Sequence, residues 1–369
     1  MKTINVTRSS MPEYEEYINE IKSLWDTRWL SNNGLKYQEF ERRLADYLDV
    51  KYVVMFSNGH LALEAALSVL DLEGEVITTP YTFISTVNAI TRCGLKPVFC
   101  DVDANTGTLD VNHLETLITK KTRAIVPVHI YGNICNVHEL DEIARKHDLR
   151  IVYDAAHAFG EKYRGKGIGN FGDMSMFSFH STKVFHTIEG GVITLNDDNL
   201  YKKLRHYKNF GFNDERDVKL AGFNAKMNEF QAAMGICNLR YIDKWIQQRQ
   251  TVNDLYMQLL GGNPSITTLQ RQKDVECNYS YFPIWIEPNG AGVDRDYVFE
   301  KLKENGINSR KYFYPLCSEF SYYKDDHDSS LTQNALSLSK SVLCLPMYSD
   351  LLIDDARKIC NVVLKCFDE

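Results

Sequence analysis

The residues best suited to chemistry crowd into one stretch, Phe177-Ser178-Phe179-His180-Ser181-Thr182-Lys183, closed by Glu189-Gly190-Gly191. An apolar run over 174–179 reads as the end of a buried strand, and a second run follows at 192–195. Lys183 therefore lies on a short connection between two core strands, among mostly uncharged neighbours. Desolvation there lowers a lysine's pKa and exposes a nucleophilic amine, the environment of a Schiff-base lysine. The competing reading is a surface lysine whose stem snorkels from a loop. Ser178 before it and Glu189-Gly190-Gly191 behind it set this lysine apart.

Three further motifs could serve such an amine. Asp154 closes a wholly apolar strand in Tyr153-Asp154-Ala155-Ala156-His157; it needs a cationic or hydrogen-bonding partner there, unless it simply caps the next helix. In Ser57-Asn58-Gly59-His60 a strand end turns into a helix. Glycine admits an anion to the backbone, and the helix amides and dipole can hold a phosphate, although such turns also arise for steric reasons. Phe83, in Thr79-Pro80-Tyr81-Thr82-Phe83, puts an aromatic ring at another strand end, to stack on a flat ligand or to pack in the core. The loop Asn32-Asn33-Gly34 is a turn that could also border a ligand trough. The glycine-rich segment 165–172 lacks a flanking strand and helix and reads as a hairpin or surface turn. With no G-x-G-x-x-G and no G-x-x-x-x-G-K-[ST] in the chain, a nicotinamide dehydrogenase or P-loop enzyme is disfavoured. An amine, a buried aspartate, an aromatic ring and a phosphate turn are together what pyridoxal phosphate requires.

These residues need strand ends to carry them. Short apolar runs at 52–56, 76–79, 97–101, 124–128, 151–154, 174–179 and 192–195 are interleaved with helical patterns at 60–71, 84–93, 110–118 and 136–147. That alternation predicts a largely parallel sheet covered on both faces, binding ligands beyond its carboxyl ends. Helices are predicted upstream at 12–27 and 37–48, and one long helix runs from 227 to about 248 in a mainly helical region after 196. Gly261-Gly262-Asn263-Pro264 marks a change of composition. Beyond it a strand at 279–285, helices at 294–304 and 332–341 and a last helix from 352 read as a small α+β domain. The expected architecture is α/β, with a large seven-stranded, mostly parallel sheet domain over 1–250 and a small C-terminal α+β domain over 251–369. The N-terminal helix is free to pack on the small domain. At 369 residues, 44% hydrophobic and 25% charged, the chain can bury a large core. A net charge of −7 argues against nucleic acid or membrane as the main partner. The nine cysteines, never spaced C-x-x-C, read as reduced small hydrophobes and suggest neither a metal site nor disulfides. With no leader-like or spanning segment, a cytoplasmic protein is expected.

Two motifs carry a family resemblance: Ser178-Phe179-x-x-x-Lys183 with Glu189-Gly190-Gly191, and Gly222-x-Asn224-x-x-Met227-x-Glu229-x-Gln231-Ala232-Ala233. The chain resembles the DegT/DnrJ/StrS sugar aminotransferases, pyridoxal-phosphate enzymes of fold type I (aspartate aminotransferase-like), from the Asn33-Gly34 turn to Leu345-Pro346. The resemblance implies that Lys183 is the Schiff-base lysine and proton shuttle and that Asp154 pairs with the cofactor's ring nitrogen. It places His157 near the ring hydroxyl and Phe83 on the ring. Ser178 and the turn Asn58, Gly59 and His60 hold the phosphate, position 60 being usually threonine. Asn224 reaches the phosphate of a partner subunit, implying a homodimer with shared active sites, while Lys226 stands where arginine is usual. Lysine at 183, where related dehydratases carry histidine, favours transamination. The segment from His180 to Glu189 resembles the branch that aminates C4 of nucleotide-linked 4-keto-6-deoxy sugars. The implied reaction takes dTDP-4-keto-6-deoxyglucose and L-glutamate to the 4-amino sugar and 2-oxoglutarate, feeding O-antigen or another surface glycan. His180, Phe185 and His186 are expected to shape the sugar pocket, and Arg310, Tyr312 and Tyr314 to hold the nucleotide diphosphate. A UDP- or GDP-linked substrate, the galacto epimer, and a non-catalytic binding protein of the same fold stay open as alternatives.

Overall fold

The structure, a computed structural model, describes residues 3–213, 217–287 and 292–368. Helices α1 (Tyr14–Ile21), α2 (Ser23–Thr27) and α3 (Leu35–Leu48) lead into β1 (Tyr52–Phe56), α4 (Gly59–Ser68), β2 (Glu75–Thr78), α5 (Ile84–Arg92) and β3 (Lys96–Phe99). The alternation continues through α6 (Val111–Thr116), β4 (Thr122–Ile125), α7 (Val137–His147) and β5 (Arg150–Asp154). A small hairpin of β6 (Lys162–Tyr163) and β7 (Lys166–Gly167) precedes β8 (Met174–Ser178), β9 (Gly191–Leu195) and α8 (Asp198–Tyr207). The glycine-rich 165–172 segment is thus the expected hairpin turn with its exit.

These strands form a seven-stranded sheet in the order β1-β9-β8-β5-β4-β2-β3. β9 runs antiparallel to both neighbours, and the β8-β5-β4-β2-β3 pairings are parallel. Strand interiors such as Val53, Met55, Ile77, Val152 and Ile193 are buried from both sides, as a doubly covered sheet demands. Polar caps fix the helix starts: Asn58, Asp110, Asn136 and Asp197 each accept a hydrogen bond from a first-turn amide.

The segment read as one helix from 227 is two, α9 (Glu229–Leu239) and α10 (Ile242–Leu260). Arg240 and Tyr241 interrupt it with tight amide bonds to the carbonyls of Cys237 and Asn238. No glycine or proline marks this break, and Arg240 is instead held by the carboxylate of Glu20. α10 crosses position 250: Ile242 and Trp245 belong to the large core, Val252, Leu255, Tyr256 and Leu260 to the small one. The small core closes around β10 (Ile266–Thr268), β12 (Phe282–Ile286), α11 (Arg295–Glu304), β13 (Val342–Leu345) and α13 (Ile353–Asp368), with β11 (Val275–Glu276) crossing to pair with β6 and α12 (Gln333–Ser341) preceding β13. α1 and α2 pack on α9. Ile21 and Leu24 meet Ala233 of α9, and it is the extended segment before α1 that reaches across to the small domain, Ile4 pairing with Ile307. No helix among the described residues is long and apolar enough to cross a membrane.

Candidate active site

Beyond the carboxyl edge of the sheet lies a cavity of about 520 Å³, lined by both domains. The turn after β1 brings Ser57, Asn58, Gly59 and His60; the start of α5 brings Thr82, Phe83 and Ser85; β5 and its exit bring Asp154, Ala156 and His157. The β8–β9 connection supplies Ser178, His180, Thr182, Lys183 and Glu189, and the small domain adds Tyr281, Arg310, Tyr312 and Phe313.

The connection is pinned at both ends. Phe179 donates to Gly190 O at 2.8 Å and Thr187 to Phe179 O at 3.0 Å, while the Lys183 amide closes a tight turn onto His180 O at 2.9 Å. A side chain at Gly191 would stand 2.6 Å from the backbone of Asn58, so Gly191 is what lets β9 pass against the turn after β1. The Lys183 amine lies 5.9 Å from the centre of the Tyr281 ring. Burial pulls its pKa down to about 8, partly opposed by the Asp154 charge. Asp154 is buried and doubly held: Thr86 Oγ1 donates to Oδ2 at 2.7 Å and the Ala156 amide to Oδ1 at 3.1 Å. Burial pushes its carboxyl up, and these two donors with Lys183 pull it back. His157 Nδ1 accepts from the Tyr131 amide at 3.0 Å, which leaves Nε2 as the protonated nitrogen. Burial and the nearby Lys183 hold its pKa well below the usual histidine value, so this ring is neutral.

At the start of α4, Asn58 Oδ1 accepts from the Leu61 amide at 2.9 Å, so the Asn58 side chain is committed as a helix cap. The amides of Gly59 and His60 at N1 and N2 have no intrahelical acceptor. A Cβ on Gly59 would stand 3.0 Å from Ser178 Cβ, so glycine keeps a small cradle open between this helix start and the Ser178 hydroxyl. The His60 ring is engaged by Ser85 at 2.9 Å. His180 Nδ1 bonds Thr182 Oγ1 at 2.8 Å, and its Nε2 lies 3.6 Å from Glu189. Phe83 is 55% exposed where it borders the cavity, which sets it apart from the buried core aromatics.

Other expected residues lie elsewhere. His186 does not reach the cavity: its buried ring donates from Nε2 to Ser10 O at 2.6 Å and accepts from the Ile188 amide at 3.1 Å, as a packed structural histidine does. Phe185, likewise expected in the sugar pocket, is fully buried in the large core, stacked on Phe159. Tyr314 is half-exposed beneath the Arg295 guanidinium, 4.6 Å from it, and Arg310 donates to the Tyr312 hydroxyl at 2.6 Å within the cavity lining. Asn224 is exposed and outside its own chain's cavity, bridged to Asn209, while Lys226 donates to Asn209 Oδ1 at 2.9 Å. Gly34 approaches the buried Glu229 carboxylate, which accepts from the Lys36 amide at 2.7 Å and so caps α3. The loop leads into α3, whose first amides are capped by Glu229 and not by a side chain of the loop. Sequence reading missed Thr86 and Tyr281. Thr86 lies one helical turn past Phe83, a position where a hydroxyl can face a strand end. Nothing local to Tyr281 points back to a cavity whose other residues belong to the distant sheet domain.

The residues present fit pyridoxal phosphate: an amine whose pKa is drawn down to about 8, a buried carboxylate near it, a cradle of amides and a serine hydroxyl, and an exposed aromatic ring. Lys183 would hold the group covalently, Asp154 its ring nitrogen, and Gly59, His60 and Ser178 its phosphate; when bound, the group supplies an electron sink. A mostly parallel sheet carrying this constellation at its carboxyl edge, with a small C-terminal domain over it, defines a fold-type I pyridoxal-phosphate aminotransferase. The chain belongs to the DegT/DnrJ/EryC1/StrS aminotransferase family, whose pattern matches residues 12–364. It is 40% identical to a dTDP-4-amino-4,6-dideoxy-D-glucose transaminase of Escherichia coli over 98% of each chain. It is 39% identical to a GDP-perosamine synthase of Caulobacter vibrioides, over 79% of this chain and 80% of that one. Among solved structures it is similar to DesI, determined in the presence of its TDP-sugar product, with a TM-score of 0.95 and 32% identity over 99% of this chain and 93% of that one.

Proposed function

We propose that this aminotransferase moves the amino group of L-glutamate onto C4 of dTDP-4-keto-6-deoxyglucose, giving dTDP-4-amino-4,6-dideoxyglucose and 2-oxoglutarate. One observation carries the reading: Lys183, Asp154, Ser178 and the Gly59 turn converge on one cavity in a chain that matches the E. coli transaminase end to end. The Lys183 amine would hold the cofactor and is placed to take and return the proton at substrate carbon. Asp154 keeps the ring nitrogen protonated and so maintains the electron sink. Apolar walls from Val128, Met176 and Phe313 limit water around the amine. Arg310, in the small-domain part of the lining, holds the nucleotide diphosphate. The working unit is a homodimer in which Asn224 completes the partner's phosphate site. The reaction takes place in the cytoplasm and supplies a surface glycan such as O-antigen. A GDP-linked 4-keto sugar is the second reading, favoured by the similarity to the GDP-perosamine synthase.

Purified protein assayed with glutamate against dTDP-, UDP- and GDP-linked 4-keto-6-deoxyhexoses tests both readings. Expected is preferential turnover of the dTDP substrate, with NMR placing nitrogen on C4 in the equatorial position. Preference for the GDP sugar would install the second reading. Nitrogen on C3 would overturn both.

A further inference from the structure

One buried polar network lies beside the cavity and takes no direct part in the proposed reaction. Three segments meet at it: Tyr131-Gly132, the exit of β5 from His157 to Glu161, and the small-domain segment from Asn278 to Tyr281. Asn278 Nδ2 donates to the carbonyls of His157 at 2.8 Å and Phe159 at 3.0 Å, and its Oδ1 accepts from the Ser280 amide at 2.9 Å. The Ser280 hydroxyl sits between Asn278 Oδ1 and the His157 carbonyl, within hydrogen-bond reach of both. The Asn278 amide is itself anchored to Glu161 Oε1 at 3.1 Å. Asn278, Glu161 and Ser280 are all buried.

The surroundings enforce this arrangement. Tyr279, between the two gripping side chains, adopts φ +55°, a left-handed conformation that is costly for an aromatic residue and persists only where neighbours over-determine it. Gly132 closes over the network: a Cβ there would stand 2.6 Å from Glu161 Oε1 and 3.3 Å from Asn278 Oδ1. Its neighbour Tyr131 provides the amide that holds the His157 ring. Tyr281 follows Ser280 directly, and its ring centre lies 4.7 Å from that of His157. Interdomain adhesion alone would be served more cheaply by apolar side chains, because each buried polar group must recover its desolvation cost. Glu161 Oε2 is left without a partner among the described residues, but Asn278 and Ser280 satisfy their own polar atoms within the network, and what those directional bonds add is a single register.

We infer that Asn278 and Ser280 are positioning residues: they register the small-domain segment bearing Tyr281 against the turn bearing His157, and so set the direction of the His157 Nε2–H in the cofactor cavity. The inference rests on the reading of that cavity as the pyridoxal-phosphate site. Its test uses the cofactor-loaded protein and the pH midpoint of its visible absorption band, alongside kcat, KM and melting temperature. Asn278→Ala should shift the midpoint by about half a unit or more and lower kcat by about ten- to a hundredfold, with a smaller change in KM. Ser280→Ala should move both in the same direction by less. In a His157→Ala background, Asn278→Ala should shift the midpoint no further. An unchanged midpoint and kcat with a lowered melting temperature would overturn the inference, as would an equal shift in the His157→Ala background. If Asn278→Ala does not fold, Ser280→Ala decides by the same readings. A wild-type protein without the cofactor band would overturn the cofactor reading, and this inference with it.

Discussion

Asp154 is fixed by Thr86 and Ala156 within the protein itself, so its charge can be changed with little disturbance of its place. Asp154→Asn keeps an oxygen for the Ala156 amide, and the Thr86 hydroxyl can turn to accept from the new amide. Stability should change by no more than about 1 kcal/mol. Both half-reactions, followed by stopped-flow absorbance, should slow by several orders of magnitude, because the ring nitrogen loses the charge that keeps it protonated. Retained turnover with lost stability would make Asp154 a helix cap and nothing more. Lys183 makes a pH prediction. Its amine titrates near 8 in the folded, cofactor-free protein against 10.5 for an ordinary lysine. Between those values the unfolded chain binds more protons, so cofactor-free protein should gain stability as pH rises through that window. Lys183→Ala should abolish the gain, and with it the borohydride-fixed cofactor adduct on this peptide. Both residues are legible because a charged group at the end of an apolar strand (Asp154), or on a short uncharged connection between two such strands (Lys183), is costly without a purpose. His186 was misread for a related reason. A histidine three residues from a reactive lysine looks functional until the Ser10 carbonyl, 176 residues away, is seen to hold it.

At the scale of elements, the motif from Gly222 to Ala233 turns out to lock helices together. Glu229, fully buried at the start of α9, sends its carboxylate to the Lys36 and Tyr37 amides at the start of α3. Gly34 leaves room for it, since a Cβ there would meet the carboxylate at 2.5 Å. Glu229→Ala should therefore cost about 1–2 kcal/mol through the lost cap. Gly34→Ala should cost a comparable 1–3 kcal/mol through overpacking, and the double mutant should cost less than the sum, since removing the carboxylate removes the clash. Denaturant melts of the three variants check this; strict additivity would deny the contact. Gly59→Ala has a different expected signature, because its Cβ would press on Ser178 in the phosphate cradle. Cofactor affinity should fall by about tenfold or more while the cofactor-free protein melts nearly unchanged, as equilibrium dialysis would register. Most sheet strands could be read from sequence because they are continuous apolar runs bounded by turn residues. The α9–α10 break could not, since no glycine or proline announces it and the Glu20 carboxylate that holds Arg240 there lies 220 residues upstream.

At the scale of the whole molecule, Asn224 is bridged to Asn209 but lies outside the cavity of its own chain. It stands exposed, next to the strand-like contact of Lys226 with Phe56 that leads into the phosphate turn. In the proposed homodimer it reaches the other subunit's phosphate, so each active site draws Lys183 from one chain and Asn224 from its partner. Two-fold symmetry makes this testable by mixing. Lys183→Ala homodimers have no competent site. In Asn224→Asp homodimers both sites keep Lys183, but each sets a carboxylate against a phosphate, a repulsion that should lower cofactor retention and turnover by about a hundredfold. In the heterodimer one site collects both substitutions and the other collects neither. Mixed and re-equilibrated subunits should therefore regain activity toward a quarter of wild type, since about half of randomly paired dimers are mixed and each has one of its two sites intact. Heterodimers isolated by differential tags should show about half of wild-type activity, with one cofactor per dimer bound at wild-type affinity. Heterodimers that form and stay inactive would mean that each site is built within a single chain, and Asn224 would then belong to the packing around Asn209 alone.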